Sequence, residues 1–208
     1  YGPEPLACVD LVREKCEWSL MGNHDFGVLY EPTNFNPGAE AAAYWTRGQL
    51  DAEQDADLRQ SRYEFLGRLR VRVVEQVNGA TPVLAVHGSP RRPINEYFFP
   101  DDAGTQPDKM ESIFERIDRL AICGHTHVPG VFTDEPDFYP PGELGEDSYT
   151  FNPHEKAIVN VGSVGQPRDH DPRASYAILH DDRVEFCRLA YDVDVTAKQI
   201  KAIPELHD

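Results

Sequence analysis

Four short hydrophobic runs in this chain each stop at a polar cluster of metal-competent residues, and that repeated ending constrains the fold more than any other feature. Leu120-Ala121-Ile122-Cys123 runs into Gly124-His125-Thr126-His127. Trp18 to Met21 leads into Gly22-Asn23-His24-Asp25, Pro82 to Val86 into His87-Gly88-Ser89, and Ala157 to Val159 into Asn160-Val161-Gly162-Ser163. Apolar runs of this length bounded by turn-forming residues read as strands buried on both faces. Side chains at the ends of adjacent strands can converge on one point although they are far apart in sequence. Asn23, His87, His125 and His127 are therefore expected to meet.

The remaining pattern predicts a mixed α/β chain. Leu6, Val9, Leu11 and Val12 fall on one side of a helix over Glu4 to Lys15, with Pro5 in its first turn. Ala39 to Trp45, Ala52 to Arg59, Asp108 to Arg116 and Val195 to Ile203 read as further helices, and Tyr63 to Leu66 as a short helical turn. Leu69 to Val77 alternates and meets Asn78-Gly79, a hairpin turn that returns the chain through Pro82 to Val86. Val128 to Thr133, Tyr149 to Phe151, Ser175 to His180 and Arg183 to Tyr191 supply more strands. The sum is two packed sheets flanked by helices within one domain over residues 1–208. No Gly-x-Gly-x-x-Gly or P-loop pattern is present, which argues against a dinucleotide or Walker-type site.

Composition narrows the function. With 208 residues and 40% hydrophobic content the chain can build one substantial core. Asp and Glu number 36 against 20 Lys and Arg, a formal charge of -16, so general attraction to nucleic acid or to an anionic membrane has no electrostatic support. A phosphate-bearing substrate would need local help such as bound metal. The four cysteines form no C-x-x-C pair, and no apolar stretch approaches a membrane span. A soluble cytoplasmic protein is the simplest expectation.

Imidazole nitrogen and the Asn amide oxygen suit Mn²⁺, Fe²⁺, Zn²⁺ or Ni²⁺. In an extended His125-Thr126-His127 turn the two rings diverge, which fits two metals better than one. Asp25 could hold the imidazole of His24 ready to protonate a leaving oxygen. Arg168, in the loop that follows Asn160, could bind a phosphate oxygen. Each motif alone has a plainer explanation: a polar turn, a capped strand end, surface histidines, a glycine-rich loop.

Together, Gly22-Asn23-His24-Asp25, Val86-His87-Gly88, Gly124-His125-Thr126-His127 and Asn160 to Arg168 resemble the calcineurin-like metallophosphoesterase superfamily, most closely its small prokaryotic phosphodiesterases and phosphatases. The resemblance implies a four-layer α-β-β-α sandwich around a dinuclear centre of divalent metals, with manganese among the candidates. It implies Asn23, His87 and His125 on one metal, His127 on the other, and His24, supported by Asp25, as the catalytic histidine. The implied reaction is phosphoester hydrolysis by a metal-bound hydroxide, on a monoester or a diester. A non-catalytic scaffold on the same fold is the alternative, and oligomeric state is open. Family members begin with Asp-x-His and Gly-Asp motifs that do not precede Asn23 here. The expectation is thus an N-terminally incomplete domain whose first β-α-β unit is missing.

Overall fold

The computed structural model describes residues 1–76 and 82–206. They form two compact units, Tyr1–Arg70 with the stretch from Asp192 onward, and Val71–Tyr191. No helix among the described residues is long and apolar enough to cross a membrane.

The first unit is helical. α1 (Pro5–Lys15) starts at a proline, whose missing N–H is one that a first turn leaves unbonded in any case. α2 (Asn23–Leu29) is short. α3 (Pro37–Asp51) is capped by Asn36, whose side chain accepts from the Ala39 N–H at 2.7 Å, and α4 (Ala56–Gly67) is capped in the same way by Asp55. Val28 of α2, Ala43 and Leu50 of α3 and Leu66 of α4 form the unit's buried core, with Leu6 and Val9 of α1 packed against it. The carbonyls that α2 leaves at its C-terminal end are taken up by α3: Arg47 donates to Val28 at 2.6 Å, to Gly27 at 3.0 Å and to Tyr30. This clamp fixes the helix that carries Asn23 and His24. The buried guanidinium of Arg62 ties α4 to α1 through Asp10, at 2.6 and 3.0 Å, and to the turn before α4 through Glu53 at 2.7 Å. α7 (Val193–Lys201) closes the chain with Asp192 as its cap.

Two sequence expectations change here. The separate helices expected at Ala39 to Trp45 and Ala52 to Arg59, and the short turn at Tyr63 to Leu66, are two longer helices, because Ala43 and Leu50 lie on one buried face and Asp55 caps a new start. The strand expected at Trp18 to Met21 makes only a bridge between Leu20 and Arg70, extended by the Met21 N–H to the Arg70 carbonyl at 2.9 Å. The Asn78-Gly79 turn lies outside the described residues.

The second unit holds both sheets. β1 (Arg72–Gln76), β2 (Pro82–Val86), β3 (Leu120–Cys123), β4 (Gly130–Thr133), β5 (Asp137–Tyr139) and β7 (Ala157–Asn160) build a six-stranded sheet in the order β1-β2-β3-β7-β4-β5. β6 (Ser148–Thr150), β8 (Ala174–Leu179) and β9 (Arg183–Leu189) form a three-stranded antiparallel sheet in the order β6-β9-β8. The three central strands β2, β3 and β7 are parallel, and Ala85, Ile122 and Val159 stand in register. Their carboxyl ends therefore finish level, where ligands collect in open α/β sheets.

Period-two alternation explains why these strands are apolar throughout. Ala121, Cys123 and Ile158 face Met110, Ile113 and Phe114 of the helical layer, α5 (Asp102–Thr105) and α6 (Pro107–Phe114). Their neighbours Leu120, Ile122 and Val159 face Val184 and Phe186 of the three-stranded sheet. The unit is thus a helix layer on a sheet on a second sheet, in agreement with the expected mixed α/β architecture.

Ile158 is fully buried between the six-stranded sheet and α6. Ile158→Ala should lower unfolding stability by about 3 kcal/mol, measured by chemical denaturation. The hydrogen bond and charge of Arg62 hold the Asp10 carboxyl below its ordinary 3.8 against the opposing effect of burial. A depressed folded pKa contributes stability above pH 3.8 that is lost as pH falls below it. The melting-temperature difference between wild type and Asp10→Asn should accordingly be largest near neutral pH and shrink below about pH 4.

Candidate metal centre

The carboxyl ends of β2, β3 and β7 carry His87, Gly124 to His127 and Asn160. The ladder runs one step past the strands, with the Gly124 N–H bonded to the His87 carbonyl and the Val161 N–H to the Cys123 carbonyl, both at 3.0 Å. The double-histidine turn is not the extended loop expected. His125 and His127 both have left-handed backbone, φ 64° and 62°, and the Thr126 N–H closes tightly on the Gly124 carbonyl at 2.7 Å. Non-glycine residues hold such angles only where surrounding contacts fix them.

Asn160 supplies those contacts. Its side chain is completely buried; Nδ2 donates to the Gly124 carbonyl at 2.8 Å and lies 2.7 Å from Thr126 Oγ1, while Oδ1 accepts from the Gly162 N–H at 3.0 Å. Gly162 itself has φ 78°, and a Cβ there would stand 2.4 Å from Ser175 Oγ. Sequence reasoning placed Asn160 in a strand-end loop without seeing this structural part.

The turn sends its two imidazoles to different partners. His125 Nδ1 lies 3.0 Å from His87 Nε2. That is hydrogen-bond distance; two nitrogens bound to one ion at about 2.05 Å would lie about 2.9 Å apart at a right angle and about 3.3 Å apart at a tetrahedral angle, so one ion could take the place of this bond with little movement of either ring. His127 Nδ1 lies 2.8 Å from the Gln166 carbonyl, which can only accept. The Nδ1 of His127 therefore carries the proton, and its Nε2 is the nitrogen with a lone pair to offer. Burial lowers the pKa of His125 to about 4, with the charges of His127 and Arg168 adding and the Asn95 backbone opposing. His127 is lowered by burial and by Arg168, against the Gln166 backbone. Both rings are thereby held in the neutral form that ligation requires. Among the described residues, however, no group of three or more His, Cys, Asp or Glu side chains is gathered closely enough to hold an ion. The structure brings His87 and His125 together and leaves His127 outside that pair.

Arg168, the expected phosphate contact, is exposed in the loop after β7; its N–H bonds the His127 carbonyl at 3.1 Å and its guanidinium donates to Gln166 Oε1 at 2.9 Å. Sequence reasoning did not assign Tyr97, whose ring stacks on His125 with centroids 3.7 Å apart. The only signal for it was an aromatic cluster in the loop after His87.

Within the helical unit, Asn23, His24 and Asp25 open α2 rather than forming a bare turn. Asp25 Oδ2 accepts from the Gly22 N–H at 2.9 Å, reaching back over the helix start as a cap. Burial raises the Asp25 carboxyl above its ordinary 3.8, against the lowering effects of the Gly22 N–H and the chain's amino group. The His24 ring lies between Tyr1, at 4.0 Å, and Phe35, at 4.9 Å. A cavity of about 260 Å³ reaches His24 and Asp25 and is otherwise walled mostly by apolar side chains such as Val9, Val28 and Leu66.

Comparison with known proteins identifies the family and the fold. The profile of the calcineurin-like phosphoesterase superfamily domain matches residues 18–183. An uncharacterised protein of Methanocaldococcus jannaschii is 32% identical over 205 residues, covering 96% of this chain and 76% of that protein. The crystal structure of a hypothetical protein from Pyrococcus horikoshii superposes with a TM-score of 0.68 at 16% identity, over 97% of this chain and 75% of that one, a likeness of fold. The matched range includes Asn23 at the start of α2, the histidines at 87, 125 and 127 and the Asn160 loop, and the chain belongs to the calcineurin-like phosphoesterase superfamily.

Proposed function

We propose that this protein is a metal-dependent phosphoester hydrolase of the cytoplasm, acting on a monoester or a diester. The observation that carries the reading is the His87–His125 pair, with nitrogens 3.0 Å apart at the carboxyl ends of two parallel strands. In this reading His87 holds one ion through Nε2 and His125 through Nδ1, with Asn23 assigned to the same ion by its motif. His127 holds a second through Nε2, the nitrogen left by its bond to Gln166. Two divalent ions, with manganese, iron, zinc and nickel all suited to nitrogen and amide-oxygen ligands, would supply charge neutralisation at the phosphoryl oxygens and a nucleophile at neutral pH.

The chain's own groups carry the rest. Arg168, exposed in the loop bonded to the His127 carbonyl, orients a phosphoryl oxygen by charge-assisted hydrogen bonding. His24 delivers a proton to the departing ester oxygen. Asp25 anchors the start of α2 through Gly22 and so fixes the backbone from which His24 projects. The family match runs across both compact units, which supports reading them as parts of one phosphoesterase domain. The cysteines, all unpaired, accord with a reducing compartment.

Purified protein supplied with Mn²⁺ should hydrolyse bis(p-nitrophenyl) phosphate or p-nitrophenyl phosphate, followed by release of nitrophenolate. His24→Ala should lower kcat by about a hundredfold or more while metal content stays unchanged. Equal rates in the mutant would remove His24 from the mechanism. No turnover with manganese, iron, zinc or nickel would favour a scaffold on the same fold.

A further inference from the structure

We infer that Tyr97 and Phe99 form a stacking platform beside the candidate metal centre, and that the substrate is a phosphoester carrying a planar aromatic ring, of nucleotide type. The inference rests on the phosphoester reading above for the position of the phosphate.

The three aromatics Tyr97-Phe98-Phe99 alternate in direction. Phe98 is 1% exposed and packs on Phe132 with ring centroids 4.8 Å apart, inside the core between the six-stranded sheet and α6. Its neighbours are turned outward by that anchor, Tyr97 at 40% and Phe99 at 46% exposure. They are not loose. The Phe99 N–H is held by Asp102 Oδ2 at 2.8 Å, and Asp102 is itself buried and paired with Lys109 at 2.7 Å. The strap before them is tied down by Glu96, which takes Arg91 in two contacts and the Ser89 hydroxyl.

The rings of Tyr97 and Phe99 are parallel to within 4° at 5.6 Å, and Tyr97 continues the stack onto His125 at 3.7 Å. A π-surface thus leads from the metal-competent histidine to an open aromatic face, and the backbone of Arg168 is bonded to the same histidine turn. Rigid exposed rings contribute little to the core. They offer contact area at low entropic cost to a flat partner. The net charge of -16 adds a reason for such a surface, because the protein's long-range field repels an anionic ligand and short-range contacts must hold it. A nucleotide supplies both parts, a phosphate for the histidine turn and a base one sugar away for the rings.

The test is calorimetric titration of the Mn²⁺-supplied protein with adenosine monophosphate and with glycerol 3-phosphate, which carry the same phosphate with and without a base. Wild type should bind the nucleotide more tightly. Phe99→Ala should weaken nucleotide binding about tenfold and leave glycerol 3-phosphate unchanged, Phe99→Trp should retain the preference, and Tyr176→Ala, at an exposed aromatic outside the platform, should change neither. Equal affinity for the two ligands in wild type, no binding of the nucleotide, or equal weakening of both by Phe99→Ala would overturn the platform. Binding is read without turnover. A nucleotide preference in a protein that hydrolyses nothing would uphold the platform and sink the hydrolase reading; turnover with no preference would do the reverse.

Discussion

The candidate metal centre depends on one buried amide. Asn160 is the last residue of a central strand, and its side chain both donates and accepts, so it can hold the Gly124 carbonyl and the Gly162 N–H at once, with Thr126 Oγ1 alongside. An apolar residue of similar size would leave the Gly162 N–H buried and unbonded, at about 1–3 kcal/mol, and would take from the Gly124 carbonyl one of its two donors. A carboxylate could not donate. The double-histidine turn keeps its two left-handed residues because this amide and the strand ladder on either side leave the backbone no other arrangement. From that turn follow the meeting of His125 with His87 and the separate engagement of His127 by Gln166.

The sheet beneath makes that precision possible. Three parallel strands finish level and are buried on both faces, one against α6 and the other against β9, so the residues that follow them start from a fixed edge. The same core holds Phe98, and through it the outward direction of Tyr97 and Phe99. The helical unit achieves its order differently. There, arginines replace the sheet ladder as the organising element: Arg47 satisfies the open carbonyls at the end of α2, and Arg62 joins α4 to α1 through Asp10 and to the turn before α4 through Glu53.

Much of the fold was legible in the chain, and the reasons are specific. Leu120 to Cys123 and Ala157 to Val159 are short, apolar throughout and followed by glycine or asparagine, which is the signature of a strand covered on both sides. The run Trp18 to Met21 looks the same in sequence but makes a single bridge, because pairing depends on a neighbouring strand that local sequence cannot specify. The histidines were visible by residue type and position. Their divergence was expected too, but from an extended turn; the actual turn is built on two positive φ angles in residues that usually avoid them. Asn160 and Tyr97 were hidden for a related reason: an asparagine that fastens a turn and an aromatic that stacks on an imidazole are spelled like any others. Asp25 was visible as a carboxylate beside His24, whereas its bond to Gly22 requires knowing that a helix begins there.

The central claim is that the level strand ends hold His87 and His125 as a ready-made pair for one divalent ion. Anomalous diffraction from crystals soaked in Mn²⁺ or Zn²⁺ tests it most directly. The account predicts a peak about 2.1 Å from both His87 Nε2 and His125 Nδ1, with the protein backbone of the turn unmoved. A metal found only elsewhere, with the two imidazoles still bonded to each other, would contradict it.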